Sequence, residues 1–203
     1  MTDIKIIAPN SNEHWTDPAL RGDVTNTSEF TIDLQAYDQG QPLGIQAFQF
    51  EIWNDRFDHL DWLQHATMPN LLIVSQTFAE TVRDLAPDAP TLYPVTFERR
   101  GVPVQARPYV VLQLGAPKDY FDAARSDFTT RTNYRGENVI SAVQHYSLKL
   151  PASVPPLFRL SVSPHHPTFA TPAFLAEARH RRLTNIAWMD AGAFSATNQF
   201  RPL

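Results

Sequence analysis

The chain contains no cysteine. This absence excludes disulfides, cysteine nucleophiles, thiolate zinc sites and iron–sulfur clusters. Glycine is scarce, at 7 of 203 residues, and no glycine-rich phosphate-binding fingerprint occurs. The longest aliphatic run, residues 71–74, is too short to span a bilayer. The N-terminus lacks the basic flank and long apolar segment of a secretory signal. We therefore expect a cytoplasmic protein without membrane contact; an exported protein without disulfides is the alternative.

Charge is unevenly distributed along the sequence. Residues 1–100 carry 6 basic and 15 acidic side chains, whereas residues 101–203 carry 11 basic and 6 acidic ones. An acidic half that faces water favours a basic partner, although it also serves solubility alone. The same acidity argues against nucleic-acid binding.

Apolar periodicity predicts an α+β fold in one domain over residues 1–203, with several short strands in a mixed sheet and two or three helices. Proline, at 17 residues, separates the segments. Alternating side chains predict strands at 30–34 and 48–52, paired antiparallel. Further strands are predicted at 109–114, 147–150 and 158–162.

Two segments share one pattern, a short apolar strand followed by a helix and a second strand. Ser75 and Thr171 stand at the expected helix N-caps, and Phe78 and Phe174 follow three residues later. Pro172 suits the first helical position. The sequence thus predicts two strand–helix–strand units, which either arose by duplication or are two ordinary units of an α+β fold.

An acidic and aromatic segment gives the candidate partner-binding residues. Between Asp55 and Gln64 the spacing predicts a short helix with acids on one face. We interpret Asp55, Asp58, Asp61 and Trp62 as a contact surface for a basic partner. The same pattern also fits a Trp62 packed on a neighbouring loop beside solvated carboxylates.

The sequence offers no recognisable catalytic or metal-binding motif. The adjacent His165 and His166 point to opposite faces of an extended chain, so they do not suit one ion. The basic run 179–182 is explained by the end of the second helix, where cations complement the helix dipole. We expect no metal, no cofactor and no catalytic residue.

Four segments resemble a known family. They are an apolar strand, serine and helix at 71–78; a strand and acidic turn at 109–114, 119–122 and 126–128; a Phe-Arg-Leu strand at 156–160; and a closing helix and strand at 171–190. Together these segments, within about 70–190, resemble bacterial immunity protein family eleven. Residues 1–66 form an N-terminal subregion outside the resemblance.

The resemblance implies an immunity protein that neutralises a toxin of bacterial competition by binding. The expected partner is a cognate secretion-system toxin with a basic surface, and the protein is then not an enzyme. The alternative is an enzyme or small-molecule-binding protein with a cleft between the two strand–helix–strand units, where histidines such as His145 act. An oligomerisation module is a third interpretation, and a homo-oligomer is compatible with each of them.

Overall fold

The computed structural model describes residues 3–9, 33–52, 57–65, 68, 70–86, 90–162, 167–193 and 201–202. Within these ranges, helices and mixed sheets confirm the α+β prediction. The elements are β1 (Lys5–Pro9), α1 (Leu34–Asp38), β2 (Phe48–Glu51), β3 (Trp62–Leu63), β4 (Ile73–Ser75), α2 (Gln76–Leu85), β5 (Thr91–Arg99), β6 (Val102–Gln113), β7 (Asp127–Thr132), β8 (Asn138–His145), β9 (Leu157–Phe158), β10 (Thr168–Ala170), α3 (Pro172–His180), β11 (Ile186–Asp190) and β12 (Arg201–Pro202). None of the described helices has the length and apolar character needed to cross a bilayer.

Two strand–helix–strand units are present, as predicted, and their sheets share one arrangement. The first sheet has the order β2-β5-β6-β4-β3 and the second β12-β11-β1-β10-β9. In the first, α2 joins β4 to β5, and β6 lies between those strands, antiparallel to both. In the second, α3 joins β10 to β11, and β1 lies between them in the same way. Each helix therefore crosses a central strand, which in the second sheet comes from the beginning of the chain.

The two helices begin at the predicted caps. The Ser75 hydroxyl accepts a hydrogen bond from the Phe78 backbone N–H at 3.2 Å, and the Thr171 hydroxyl accepts one from the Phe174 N–H at 3.3 Å. Each cap satisfies a backbone donor that the first turn leaves unpaired. The Phe78 and Phe174 rings are fully buried with centroids 5.3 Å apart. The two units thus share a core between α2 and α3.

Several local predictions differ from the structure. Leu34 begins α1, because the Asp33 carboxylate caps that helix by accepting from the Ala36 N–H at 2.9 Å. Of the predicted strand 30–34, Phe30 and Ile32 lie outside the described residues. Strand β2 pairs with β5 in parallel orientation, and most of the antiparallel partner predicted for it lies outside the described residues. The predicted strand at 147–150 is reduced to one isolated bridge, between Leu148 and Phe121.

Candidate functional site

The acidic segment that the sequence analysis selected does not form a helix in its described part. Asp58 and His59 form a turn, closed by a hydrogen bond from the Leu60 N–H to the Phe57 carbonyl at 2.9 Å, and strand β3 follows. Asp55 lies outside the described residues. The helix predicted over 55–64 is therefore wrong for residues 57–64. Apolar residues three apart also fit a turn that leads into a buried strand.

Trp62 is a core residue. It pairs with Val74 in the first sheet, its side chain is 2% exposed, and its ring lies 5.9 Å from that of Phe78. A partner cannot contact a side chain that is enclosed by the protein's own core. The premise of an exposed Trp62 is wrong. The alternative, a Trp62 packed on a neighbouring loop beside solvated carboxylates, also differs from the structure, because Trp62 packs on α2 and Asp61 is buried.

Asp61 is also buried, at 5% exposure. One carboxylate oxygen accepts from the Ser75 hydroxyl at 2.5 Å and lies 3.2 Å from the Arg107 guanidinium. The other accepts from the Thr184 backbone N–H at 2.7 Å and from the Thr184 hydroxyl at 3.0 Å. Ser75 caps α2 in the first unit, whereas Thr184 follows α3 in the second. Asp61 therefore connects the two units, and its side chain does not face a partner.

Asp58 remains exposed and lies at the rim of this network. Its carboxylate accepts from the Arg107 backbone N–H at 2.8 Å. The Arg107 guanidinium lies 5.4 Å from the ring centroid of Tyr109, whose hydroxyl is 2.7 Å from the Leu60 carbonyl. Burial raises the pKa of Tyr109 to about 12, although the Arg107 hydrogen bond opposes that shift. Of the four predicted contact residues, Asp58 alone is described and accessible.

Some acidic side chains of the first half form ion pairs with basic side chains of the second half. Three acids of the first hundred residues pair with arginines of the second half. These pairs are Asp38 with Arg159 at 2.7 Å, Asp61 with Arg107 at 3.2 Å and Asp84 with Arg181 at 2.6 Å. Sequence counts cannot distinguish such long-range pairs from solvated charges. The negative field of the first half is consequently weaker than its formal charge suggests.

The hairpin formed by β7 and β8, residues 127–145, is the most exposed described element. Its two strands pair only with each other among the described strands, and residues 129–139 are nearly all exposed or half-buried. At its tip Tyr134 is 90% exposed, and the Arg135 guanidinium lies 5.3 Å from the Tyr134 ring centroid. We call Tyr134 and Arg135 the hairpin tip.

The turn that carries the hairpin tip is well ordered by its own hydrogen bonds. The Asn133 side-chain oxygen accepts from the N–H groups of Arg135 and Glu137, at 2.9 and 3.0 Å, and its amide donates to the Glu137 carboxylate at 2.9 Å. Gly136 has a φ of 78°, which favours glycine. These hydrogen bonds favour the same conformation of the tip before any partner binds.

This hairpin is not among the elements predicted from the sequence. The signal was present, because two runs rich in β-branched residues, 129–132 and 138–143, flank a five-residue loop, 133–137, that contains Asn133 and Gly136. That pattern predicts a β-hairpin, and its exposed tyrosine and arginine are residue types enriched at binding hot spots.

Two cavities lie on the described surface. One, of about 760 Å³, is lined by His145 together with Asp3, Arg125 and Asp190. It lies beside β8 and β11 and not between the two units. The other, of about 400 Å³, is lined by residues of α2 and β9 and therefore lies between the units. The proposed inter-unit cleft and the histidine proposed to act in it are thus at different places.

Three sequence predictions remain, which concern the histidine pair, the basic run 179–182 and the absence of a metal site. His165 and His166 lie outside the described residues. Arg179 and His180 occupy the last turn of α3, and Arg181 caps it and pairs with Glu177. In the described part of the chain, no group of three or more His, Asp or Glu side chains is arranged to hold a metal ion.

No family model matches this chain, and no curated protein does.

Proposed function

We propose that this protein is a bacterial immunity protein, which binds a cognate secretion-system toxin in the cytoplasm of the producing cell and neutralises it without turnover. The resemblance to immunity family eleven motivates the proposal. The segments that carry it correspond to β4 with the first residues of α2, to the second half of β6 with the turn that leads into β7, to β9, and to α3 with β11. Many of their apolar residues lie in the shared core.

One observation carries the proposal, namely the exposed and pre-ordered hairpin tip. Tyr134 makes little contact with the rest of the protein, so it adds almost nothing to folding. Tyrosine and arginine are enriched among residues that dominate binding energy. Because the Asn133 hydrogen bonds already favour this turn, a partner has less to order, and the entropy cost of association is reduced.

The structure changes which residues we expect the toxin to contact. Asp61 and Trp62 are buried, so their contribution to binding would be indirect. Asp58 and the other exposed acids can still steer a basic toxin surface during encounter. The hairpin tip supplies the short-range contacts, and the Arg135 guanidinium there requires a carboxylate or a carbonyl-rich site on the toxin.

The test uses the gene adjacent to this one. If that gene encodes a large exported protein, its C-terminal domain is expressed in a heterologous bacterium with and without this chain. We expect growth arrest without the chain, rescue with it, and loss of rescue for the variant Tyr134→Ala/Arg135→Ala. Val102→Ala is the matched control, since Val102 is 64% exposed at the end of a different hairpin, between β5 and β6. Rescue that survives the tip variant would place the contact elsewhere, and no rescue by the native chain would refute the proposal.

A further inference from the structure

The cavity between the two units, which we call the inter-unit cavity, has a wall that is mainly apolar and partly polar. Its described lining residues are Val82, Ala86, Pro90, Leu114, Gly115, Lys118, Pro155, Pro156, Leu157 and Phe158. Its volume of about 400 Å³ is within the range of small-molecule sites. At about 30 Å³ for each water molecule, it has room for about a dozen waters, which suits a compact ligand and not a folded segment.

The wall of the inter-unit cavity is rigid. Pro155 and Pro156 have fixed φ angles, and the Pro156 carbonyl accepts from the Thr171 N–H at 3.0 Å. The Phe158 ring stacks on that of Phe169, with centroids 5.3 Å apart, and meets the edge of Tyr120 at 5.4 Å. A pre-formed apolar wall binds an apolar body without first having to order its own side chains.

Lys118 is the one charged residue among the described lining residues. Its backbone is held on both sides, because its N–H donates to the Arg159 carbonyl at 2.7 Å and its carbonyl accepts from the Ser161 N–H at 3.1 Å. Its ammonium group forms no ion pair with any residue that the structure describes, in contrast to Lys5 and Lys149, which pair with carboxylates. The inter-unit cavity thus combines a mainly apolar wall with one unpaired, half-buried cation.

We propose that the inter-unit cavity binds a small amphiphilic carboxylate, whose apolar body lies against the prolines of the wall and whose carboxylate pairs with Lys118. Charge complementarity selects this class, since a cationic ligand would meet Lys118 with like charge and a neutral one would leave the ammonium unpaired. The proposal is independent of toxin binding, because the cavity lies between α2 and β9 and does not include the hairpin tip.

The experiment compares octanoate with octanamide, which share an apolar chain and differ in charge. Binding to the full chain is measured by calorimetry and by the amide chemical shifts of the non-proline residues among 114–118 and 155–158, which are 114–116, 118, 157 and 158. We expect octanoate to bind, to shift those residues, and to bind about tenfold more tightly than octanamide, since a charge-assisted hydrogen bond is about twice as strong as a neutral one.

Variants locate the site. Lys118→Met keeps the length of the side chain and should remove the preference for octanoate, whereas the control Lys149→Met, at a lysine 69% exposed, should preserve it. Ala86→Phe fills the cavity from the end of α2 and should abolish binding of both probes. No octanoate binding, equal binding of the two probes, or a preference that survives Lys118→Met would overturn the proposal. Should Ala86→Phe not fold, the comparison of Lys118→Met with Lys149→Met decides it alone.

Discussion

Replacement of Asp61 by alanine should destabilise the protein strongly, although the sequence pattern suggested an exposed contact residue. The carboxylate accepts hydrogen bonds from the Ser75 hydroxyl and from the backbone and hydroxyl groups of Thr184. Its loss leaves the buried Ser75 hydroxyl and the partly buried Thr184 N–H without that acceptor, whereas the Thr184 hydroxyl can still donate to the His59 carbonyl, 2.8 Å away. Because Ser75 and Thr184 belong to different units, the substitution should weaken the junction between the units and not one unit alone.

The magnitude follows from the burial of the network. Removing one partner of a buried polar network costs about 1–3 kcal/mol for each donor left unpaired, and the costs are not additive. The Arg107 ion pair adds little, since the arginine side chain is 33% exposed. We expect a loss of about 4 kcal/mol, which is a large part of the 5–15 kcal/mol typical of a folded domain. The exposed Asp58, which accepts a single backbone hydrogen bond, should cost about 1 kcal/mol when replaced by alanine.

The assay is urea unfolding followed by tryptophan fluorescence. With a denaturant slope of about 2 kcal/mol/M, Asp61→Ala should lower the midpoint by about 2 M and Asp58→Ala by about 0.5 M. Thr184→Val, combined with Asp61→Ala in a double-mutant cycle, should show a coupling energy of at least about 1 kcal/mol. If Asp61→Ala and Asp58→Ala lower the midpoint equally, Asp61 does not connect the units as described.

Three further outcomes are expected. Thr171→Ala should lower the free energy of unfolding by about 1 kcal/mol, measured in the same urea assay, because α3 loses its cap, and Thr171→Ser should restore it. Tyr109 has a folded-state pKa of about 12 against an unfolded value near 10.0. Its contribution to the free energy of unfolding is therefore fully present below pH 10 and is lost as the pH rises toward 12, because the unfolded chain releases the phenolic proton first. The stability of Tyr109→Phe, measured over that range, should fall less steeply; an identical slope would contradict the assignment. Tyr134→Ala should change the free energy of unfolding by less than about 0.5 kcal/mol, since its side chain is 90% exposed; a larger loss in urea unfolding would mean that the tyrosine supports the fold.

Local signals in the sequence predicted the parts of the fold that depend on neighbouring residues. A hydroxyl three residues before a buried phenylalanine marked both helix starts, since an N-cap involves only the next turn of chain. Strand β6 was recognisable because its apolar run, 109–114, is buried in the centre of the first sheet.

Features that depend on distant residues were not predictable in this way. Asp61 is bound to Thr184, which is 123 positions away, and β1 lies between two strands from the end of the chain. An aspartate in a polar segment has the same local pattern whether it faces water or a buried hydroxyl and N–H group. The candidate contact surface was therefore assigned to a segment that the structure mostly buries, and the exposed hairpin tip was overlooked.

The most direct test of the binding account is calorimetric titration of this chain with a catalytically inactive form of the toxin domain encoded beside it. The account predicts a stoichiometric complex, and at least about a thirtyfold increase in Kd for Tyr134→Ala/Arg135→Ala, equivalent to about 2 kcal/mol at a hot spot. If the titration shows no complex although the chain protects cells from the toxin, neutralisation by binding is contradicted. The protein would then act on the toxin's product or substrate.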